Sequence, residues 1–484
     1  MDIVSKGKLK TLIEPYFHKK LYKNSYEVVS KKAIDLLTHT RFDLAFKLFY
    51  LDIKNKNERL AKEIYSEHIR AFSLGKFTEP GNEEKNSIES FMQEFEKIFE
   101  DIKKNGFDNT KTVIPLSENG SIANGAHRVA SAIYLKTVAN CVQLDIPTYM
   151  YNYKFFYKRN ISVDILDMVA TKFVEYAENI YIAFLWPTGQ NTQKIQGVIP
   201  NIVYRKTIKL TPNGAHNLLS QIYYGEEWLG SIEDDFKGSK GKLLECFKTF
   251  DEFEVVAFQA KSLEEVLKIK DKIRDIFNVG KHSVHITDTI EEARRVVKVV
   301  FNENSIHFLN YSKPNKFLST HLKIDKFKNF LTKNNLNSDD VIIDGSLILS
   351  CYGLREAKDI DFYCYDNNKI KYNFKDINTH DEELKYYKMA KEDLIYNPKN
   401  YFYFNDLKFI SFTQLYKMKE NRAELKDIND CQMMEALIEN NKIKEMISRA
   451  NQKFLYLRIK IRSRLIDLLK IIRLYTILKK IVKR

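Results

Sequence analysis

Apolar residues recur at helical spacing in Ala33-Ile-Asp-Leu-Leu37 and in Phe42-Asp-Leu-Ala-Phe-Lys-Leu-Phe-Tyr50, which predicts a mostly helical stretch over residues 1–75. The pattern stops at 77–86, where Pro80-Gly81 predicts a loop, and resumes as a helix over about 87–104. Val113-Ile-Pro-Leu116 follows, then turns at Asn119-Gly120 and Asn124-Gly125, the second opening a helix over 126–135. Mixed strand and helix patterning covers about 165–312. Val341-Ile-Ile-Asp-Gly345-Ser346 then reads as a strand and a Gly-Ser turn, followed by a short helix and a strand holding Asp359 and Asp361. Tyr401-Phe-Tyr-Phe404 reads as a further strand. From Phe454 on, the chain is apolar at helical spacing and basic between. No internal repeat or low-complexity linker separates these stretches, so the expected class is α+β with several abutting domains.

At 484 residues the chain has room for about three domains. Its composition, 44% hydrophobic and 13% aromatic, excludes disorder as the default state. Charge changes the picture more. Of the net +14, about +10 comes from Lys453–Arg484, which holds eleven Lys or Arg and one acid, Asp467. The basic pI is therefore a property of the tail, and a nucleic-acid-binding body is not expected. Five cysteines at scattered positions show no metal-binding spacing, which favours a reducing compartment. The opening Met-Asp-Ile-Val-Ser-Lys lacks the apolar run of a signal peptide, and no run of 18 apolar residues exists. The expectation is a cytoplasmic protein, held at the inner face of a membrane if at a membrane at all.

Three segments carry candidate chemistry. In the first, Asn124-Gly125-Ala126-His127-Arg128 places backbone donors, an imidazole and a guanidinium at a helix N-terminus, a corner suited to a polyphosphate. It resembles the ParB/sulfiredoxin-like family over about 60–140. The resemblance implies Gly125, His127 and Arg128 as nucleotide-phosphate contacts, with Glu79, Lys85 and Glu118 as weaker candidates for polar groups near the pocket. A structural turn capped by His127 and Arg128 is the plain alternative.

In the second, Tyr181-Ile-Ala-Phe-Leu-Trp186-Pro187-Thr-Gly189 is followed by Lys272-Ile-Arg274-Asp-Ile-Phe277 and by His282-Ser-Val-His285-Ile-Thr287-Asp288-Thr289. In order and spacing this resembles a nucleoside diphosphate kinase domain with a ferredoxin-like fold. The resemblance implies His285 as a phosphoryl-carrying nucleophile and Arg274 as a phosphate contact. Trp186 stands where that family has its phosphate-binding lysine, and Ile286-Thr287 replaces its Gly-Ser. A retained fold with altered chemistry is the competing reading, and Thr287–Thr289 before Glu291-Glu292 also reads as a helix N-cap.

In the third, strand alternation would put Asp359 and Asp361 on one face, a costly pairing of like charges without a divalent cation between them. Gly345-Ser346, twelve residues and Asp359-x-Asp361 resemble the DNA polymerase beta-like nucleotidyltransferase superfamily. The helical run from Lys408 through Lys419, Arg422, Lys426 and Asp427 supports the resemblance. It implies Gly345 and Ser346 as phosphate contacts, Asp359 and Asp361 as Mg²⁺ ligands and catalytic carboxylates, and Lys426 as a weaker candidate. A third carboxylate, usual in that superfamily, is missing from Tyr401–Phe404. Asp406 falls in the turn after it, and Asp376, Asp381, Glu382 and Glu383 are possible substitutes.

The expected organisation is a helical N-terminus plus ParB/sulfiredoxin-like domain over 1–160, a nucleoside diphosphate kinase-like domain over 165–312, a nucleotidyltransferase-like domain over 313–440 and a basic amphipathic tail over 441–484. The arrangement is similar to proteins of bacterial capsule and surface-polysaccharide biosynthesis. With ATP or another nucleoside triphosphate and Mg²⁺, the chain is expected to transfer a phosphoryl or nucleotidyl group to a small polyol or sugar. Gly125–Arg128 would bind ATP. A nucleotide-sensing scaffold of degenerate folds and a nucleotidyltransferase toxin are the alternatives. Residues 453–484 would meet an anionic membrane surface or a partner helix.

Overall fold

The computed structural model describes residues 2–79, 84–189, 192–195 and 197–471. The turn expected at Pro80-Gly81 and the end of the basic tail, 472–484, lie outside the described residues. The chain forms a mixed α+β structure that divides into two compact units. The first comprises Met1–Asn310 and Tyr396–Asp406, and the second Tyr311–Ile395 and Leu407–Arg484.

The first unit contains two sheets. In one, β1 (Asp2–Ser5), β2 (Ser25–Lys32), β3 (Ile114–Leu116) and β4 (Val138–Gln143) lie in the order β1-β2-β4-β3. Residues 1–75 are mostly helical as expected, with β1 and β2 as strands that the helical reading did not include. Ser25–Lys32 begins with strict alternation of exposed and buried positions, the strand period, but only Tyr26 and Val28 point to the core. That is too few apolar positions to announce a strand beside the longer helical runs. The helices Asp43–Ile53, Glu58–Ser73 and Ile88–Asn105 form where helical spacing places them. Ala33–Leu36 tightens into a single 3₁₀ turn.

The second sheet is antiparallel throughout: β5 (Ile180–Leu185), β6 (Ile202–Ile208), β7 (Phe253–Gln259) and β8 (Val284–Ile286), in the order β6-β7-β5-β8. β5 is a continuous apolar run because both of its faces are covered. Ile180, Ile182 and Phe184 enter a core that includes Ala33 and Leu309, while Tyr181, Ala183 and Leu185 enter a second core with Val266, Ile269 and Ile273 of the helix Leu263–Phe277. The first of these cores draws residues from both the 1–160 and the 165–312 stretches.

In the second unit β9 (Val341–Asp344), β10 (Ile360–Cys364) and β11 (Ile377–Thr379) lie side by side, β9 antiparallel and β11 parallel to β10. The strand β12 (Tyr401–Phe404) belongs to the first unit, and β13 (Leu407–Ile410) runs parallel to β9 on its other side. Asp359 is not on a strand with Asp361. β10 begins at Ile360, and Asp359 occupies the bend before it. The helices Phe412–Arg422, Leu425–Ile438 and Lys442–Ile471 complete the unit. All five cysteines are buried and unpaired.

Candidate functional site

The chain turns sharply at Gly125 to start the helix Ala126–Tyr134. Gly125 has φ +85°, and a Cβ there would stand 2.6 Å from Ile114 Cδ1, so glycine is needed for both conformation and space. The helix carries His127 and Arg128 as expected, but both are engaged by the protein. His127 Nε2 is 2.8 Å from the Tyr65 hydroxyl, and its ring packs on Phe95. Burial, reinforced by Lys47 and Lys85, holds His127 well below the usual imidazole range. Arg128 forms a 2.6 Å ion pair with Glu14 and donates to Thr112. Lys85 and Glu79 pair with each other at 2.7 Å, and Glu118 lies exposed in the turn after β3. Nearby is a cluster that sequence spacing does not reveal. Arg41 makes two hydrogen bonds to Asp43, and Lys47 lies 3.5 Å from Asp43 and 3.1 Å from His68 Nε2, all four residues buried. Burial, against the pull of Asp43, brings Lys47 down to about 8.

Around β8 the sequence-predicted residues converge. His285 and Arg274 line one cavity of about 400 Å³, together with Lys242, Lys270, Lys281 and Arg295. Each comes from a different local cause. β8 pairs with β5, setting His285 opposite Phe184. The helix Leu263–Phe277 turns Lys270 and Arg274, four residues apart, to the same side. The helix Ile290–Val300 supplies Glu292 and Arg295; Thr289 caps it through the Glu292 amide, as the Thr-Asp-Thr run suggests.

The imidazole is held at both nitrogens. His285 Nε2 is 3.0 Å from Glu292 Oε1, and Nδ1 is 3.3 Å from the Tyr223 hydroxyl. Glu292 Oε2 accepts from the Asp288 amide at 2.9 Å. Burial alone would raise the Glu292 carboxyl, but His285 and the Asp288 amide outweigh it and hold the group below its ordinary range. An ionised carboxylate only accepts hydrogen bonds, so Nε2 of the neutral ring carries the proton and Nδ1 keeps its lone pair.

The cations differ in their commitments. Arg295 donates to the Gln221 and Ile222 carbonyls at the end of the helix Pro212–Ile222, and Lys270 reaches Asp288 at 3.2 Å. Arg274 pairs with Asp271, while its Nε is buried without a partner. Lys242 lies 5.8 Å from the centre of the Tyr223 ring, and neither it nor Lys281 has an ion-pair partner among the described residues. Trp186 is buried between Phe184, Phe247 and Phe253.

In the second unit the acidic corner gains a member. Asp344, immediately before Gly345-Ser346, is the cross-strand neighbour of Asp361. Asp344 accepts from His380 Nδ1 at 2.7 Å and from the Tyr387 hydroxyl. Burial would raise Asp344, but these hydrogen bonds and the His380 charge keep it low, while Asp344 in turn keeps His380 raised against burial. Burial pushes Asp361 up to about 6, with Asp359 and Asp344 adding to it and His380 opposing. Gly345 lies against this carboxylate, since a Cβ there would stand 2.6 Å from Asp361 Oδ2. Ser346 Oγ is 3.5 Å from Asp359 Oδ1.

The substitutes for a third carboxylate are largely committed to cations: Asp376 to Lys326 at 3.6 Å, Asp381 to Lys391 at 3.2 Å and Glu383 to Arg422 at 3.2 Å. Glu382 shares the turn Asp381–Tyr386, Asp406 lies in a left-handed turn with φ +62°, and Lys426 pairs with Glu424 at 3.0 Å on the surface. Among the described residues no group of three or more His, Cys, Asp or Glu is arranged to hold a metal ion. Asp359 and Asp361 offer two carboxylates, and Mg²⁺ is commonly bound through one or two carboxylates with substrate phosphates and water completing its shell. The pair therefore fits Mg²⁺ only in company with a phosphorylated ligand.

His380 and Tyr387 follow no sequence spacing that ties them to Asp344, whereas Asp344 itself stood beside the Gly-Ser turn. No family model, curated protein or solved structure matches the chain.

Proposed function

We propose that this chain is a nucleotide-dependent phosphoryltransferase working through His285. The observation that carries the reading is one cavity in which an imidazole, fixed by a carboxylate at Nε2, stands among Lys242, Lys270, Arg274 and Lys281. Clustered cations in a cleft favour a polyanion, and a single oriented imidazole is a nucleophile for phosphorus. The strand order β6-β7-β5-β8, all antiparallel, supports the ferredoxin-like sheet expected of a nucleoside diphosphate kinase-like domain, while the helices depart from it: 3₁₀ turns join β5 to β6 among the described residues, and two α-helices lie between β6 and β7.

In the reaction, the Nδ1 lone pair attacks the γ-phosphorus as the Tyr223 hydroxyl moves off it. The bond to the β–γ bridging oxygen breaks, and the diphosphate leaves with that electron pair. Glu292 keeps the Nε2 proton and stabilises the positive charge that develops on the ring. An acceptor hydroxyl then attacks the phosphorus, the N–P bond breaks, and the acceptor proton is lost to water. A cavity of about 400 Å³ is of small-molecule size. It suits the polyol or sugar acceptor suggested by the resemblance to surface-polysaccharide proteins.

The test is incubation with γ-³²P-labelled ATP, GTP, CTP and UTP with Mg²⁺. The expected result is protein-bound label that is stable in base, lost in acid, absent in His285→Asn and retained in Arg128→Ala. No label from any nucleotide contradicts the proposal.

A second reading is favoured by a separate observation, the approach of Gly345 to an Asp361 carboxylate raised to about 6. A corner that crowds carboxylates is relieved by a divalent cation, and Mg²⁺ bound there would supply charge neutralisation for a nucleotide phosphate. The second unit would then be a nucleotidyltransferase, with Asp359 and Asp361 holding the ion and His380 and Tyr387 fixing Asp344. A Mg²⁺-dependent nucleotide stabilisation as large in His285→Asn/Asp361→Asn as in His285→Asn alone rules this out.

A further inference from the structure

The helix Lys442–Ile471 is 30 residues long, yet only Ser448 and Gln452 are buried. Past Gln452 it continues for about 28 Å at 1.5 Å per residue with no buried residue. Phe454, Leu457, Ile461, Leu465 and Leu468, spaced three and four apart, make one stripe, and each is more than half exposed. The helix is fixed in rotation by Tyr456 on its opposite side, whose ring lies 3.9 Å from Lys358 Nζ and 5.8 Å from the Arg355 guanidinium. The stripe therefore faces away from the residues that hold the helix. At 100° per residue, Arg458 and Arg462 border the stripe on one side and Lys460 and Arg464 on the other. Asp467 is the only acid between Lys453 and Ile471.

We infer that this face binds an anionic phospholipid surface, lying in the headgroup layer. Three observations select that occupant. An apolar stripe bordered on both sides by long cationic side chains lets the stems bury while the charges reach lipid phosphates. A second copy of the helix would set the bordering Lys and Arg against one another in either orientation, a repulsion with one aspartate to offset it. No helix among the described residues is long and apolar enough to cross a membrane, so the helix lies on the surface and does not span it. The inference is independent of the proposed chemistry at His285.

The test is co-sedimentation of the full chain with phosphatidylcholine vesicles and with phosphatidylcholine–phosphatidylglycerol vesicles, beside light scattering across a range of protein concentration. Partitioning onto the anionic vesicles is expected to exceed that onto the neutral ones by tenfold or more and to fall with salt. Arg458→Gln, Arg462→Gln and Arg464→Gln each lower it by about fivefold, and Ile461→Glu abolishes it while leaving the melting temperature unchanged. Failure to bind anionic vesicles, equal binding to both kinds, or a concentration-dependent dimer that Ile461→Glu dissociates would each overturn the inference.

Discussion

The His285 cavity and the Asp361 corner handle charge in opposite ways. At His285, cations outnumber carboxylates and the imidazole is held by Glu292 in the form that keeps a lone pair on Nδ1, facing the Tyr223 hydroxyl. At Asp361, carboxylates crowd together; Asp344 is compensated by His380 and Tyr387, and Asp361 is left without a compensating partner of that kind. The first site carries an excess of cationic side chains and the second an excess of carboxylates. The difference teaches that partner atoms, more than residue type, decide which groups are available for chemistry. His127 and Arg128 make the same point from within the first unit, since His127 Nε2 and two of the Arg128 guanidinium nitrogens are already held by Tyr65, Glu14 and Thr112.

The largest effect should come from breaking the compensated half of the acidic corner. His380→Ala leaves the Asp344 carboxylate buried with Tyr387 alone, and should cost about 3–5 kcal/mol in urea unfolding. The sign of its pH dependence follows from two opposed shifts. His380 is raised, so its contribution is full below the ordinary imidazole pKa and fades as pH climbs through the folded value. Asp344 is lowered, so its contribution is full above the ordinary carboxyl pKa and fades as pH falls. The wild-type advantage should therefore peak between about pH 4 and pH 6.5. A difference that does not vary with pH would break the contrast between the two sites.

Next comes Glu292→Gln. The amide can still take part in a hydrogen bond with Nε2, so the fold should hold, but it no longer compensates a charged ring. Phosphoryl transfer should fall about 10²-fold with little change in melting temperature. Unchanged transfer would show that the His285–Glu292 pair is structural.

A smaller effect has the opposite sign. Asp361 is raised to about 6, above its unfolded value, so ionising it costs the native state stability as pH rises through that range. Asp361→Asn should therefore stabilise the protein at pH 7 by on the order of 1–2 kcal/mol and change little near pH 4. Millimolar Mg²⁺ with a nucleotide should narrow the gap by stabilising the wild type more than the variant, which keeps the His285 cavity but loses a carboxylate at the acidic corner. The smallest effect is expected at the exposed Lys281 in the lining of the His285 cavity, where Lys281→Ala should weaken nucleotide binding by about three- to fivefold at low salt and less at high salt.

Much of the fold was legible because helical and strand periods are local. The strand Val341–Asp344 and the helices at Asp43–Ile53 and Ile88–Asn105 announced themselves through apolar spacing. β2 did not, since two inward residues, Tyr26 and Val28, make a weak pattern. In the candidate sites, Gly345 and Gly125 were legible because glycine marks close approach, and the structure has Asp361 and Ile114 in the space that a Cβ would fill. Asp359 was misplaced onto the strand by counting alternation one residue too early. The partners of the reactive groups were illegible. Tyr223 reaches His285 from 62 residues away and His380 reaches Asp344 from 36, and only tertiary packing brings them together.

The central claim is that nucleotide phosphates enter the cavity at His285. Its most direct test is a calorimetric titration of ATP with Mg²⁺ into the wild type and into Lys242→Glu/Lys281→Glu, two charge reversals in the lining of the cavity. The account predicts binding to the wild type that the double variant weakens by about a hundredfold or more. Equal affinity in both proteins, or affinity lost in Arg128→Ala and not in the double variant, would contradict it.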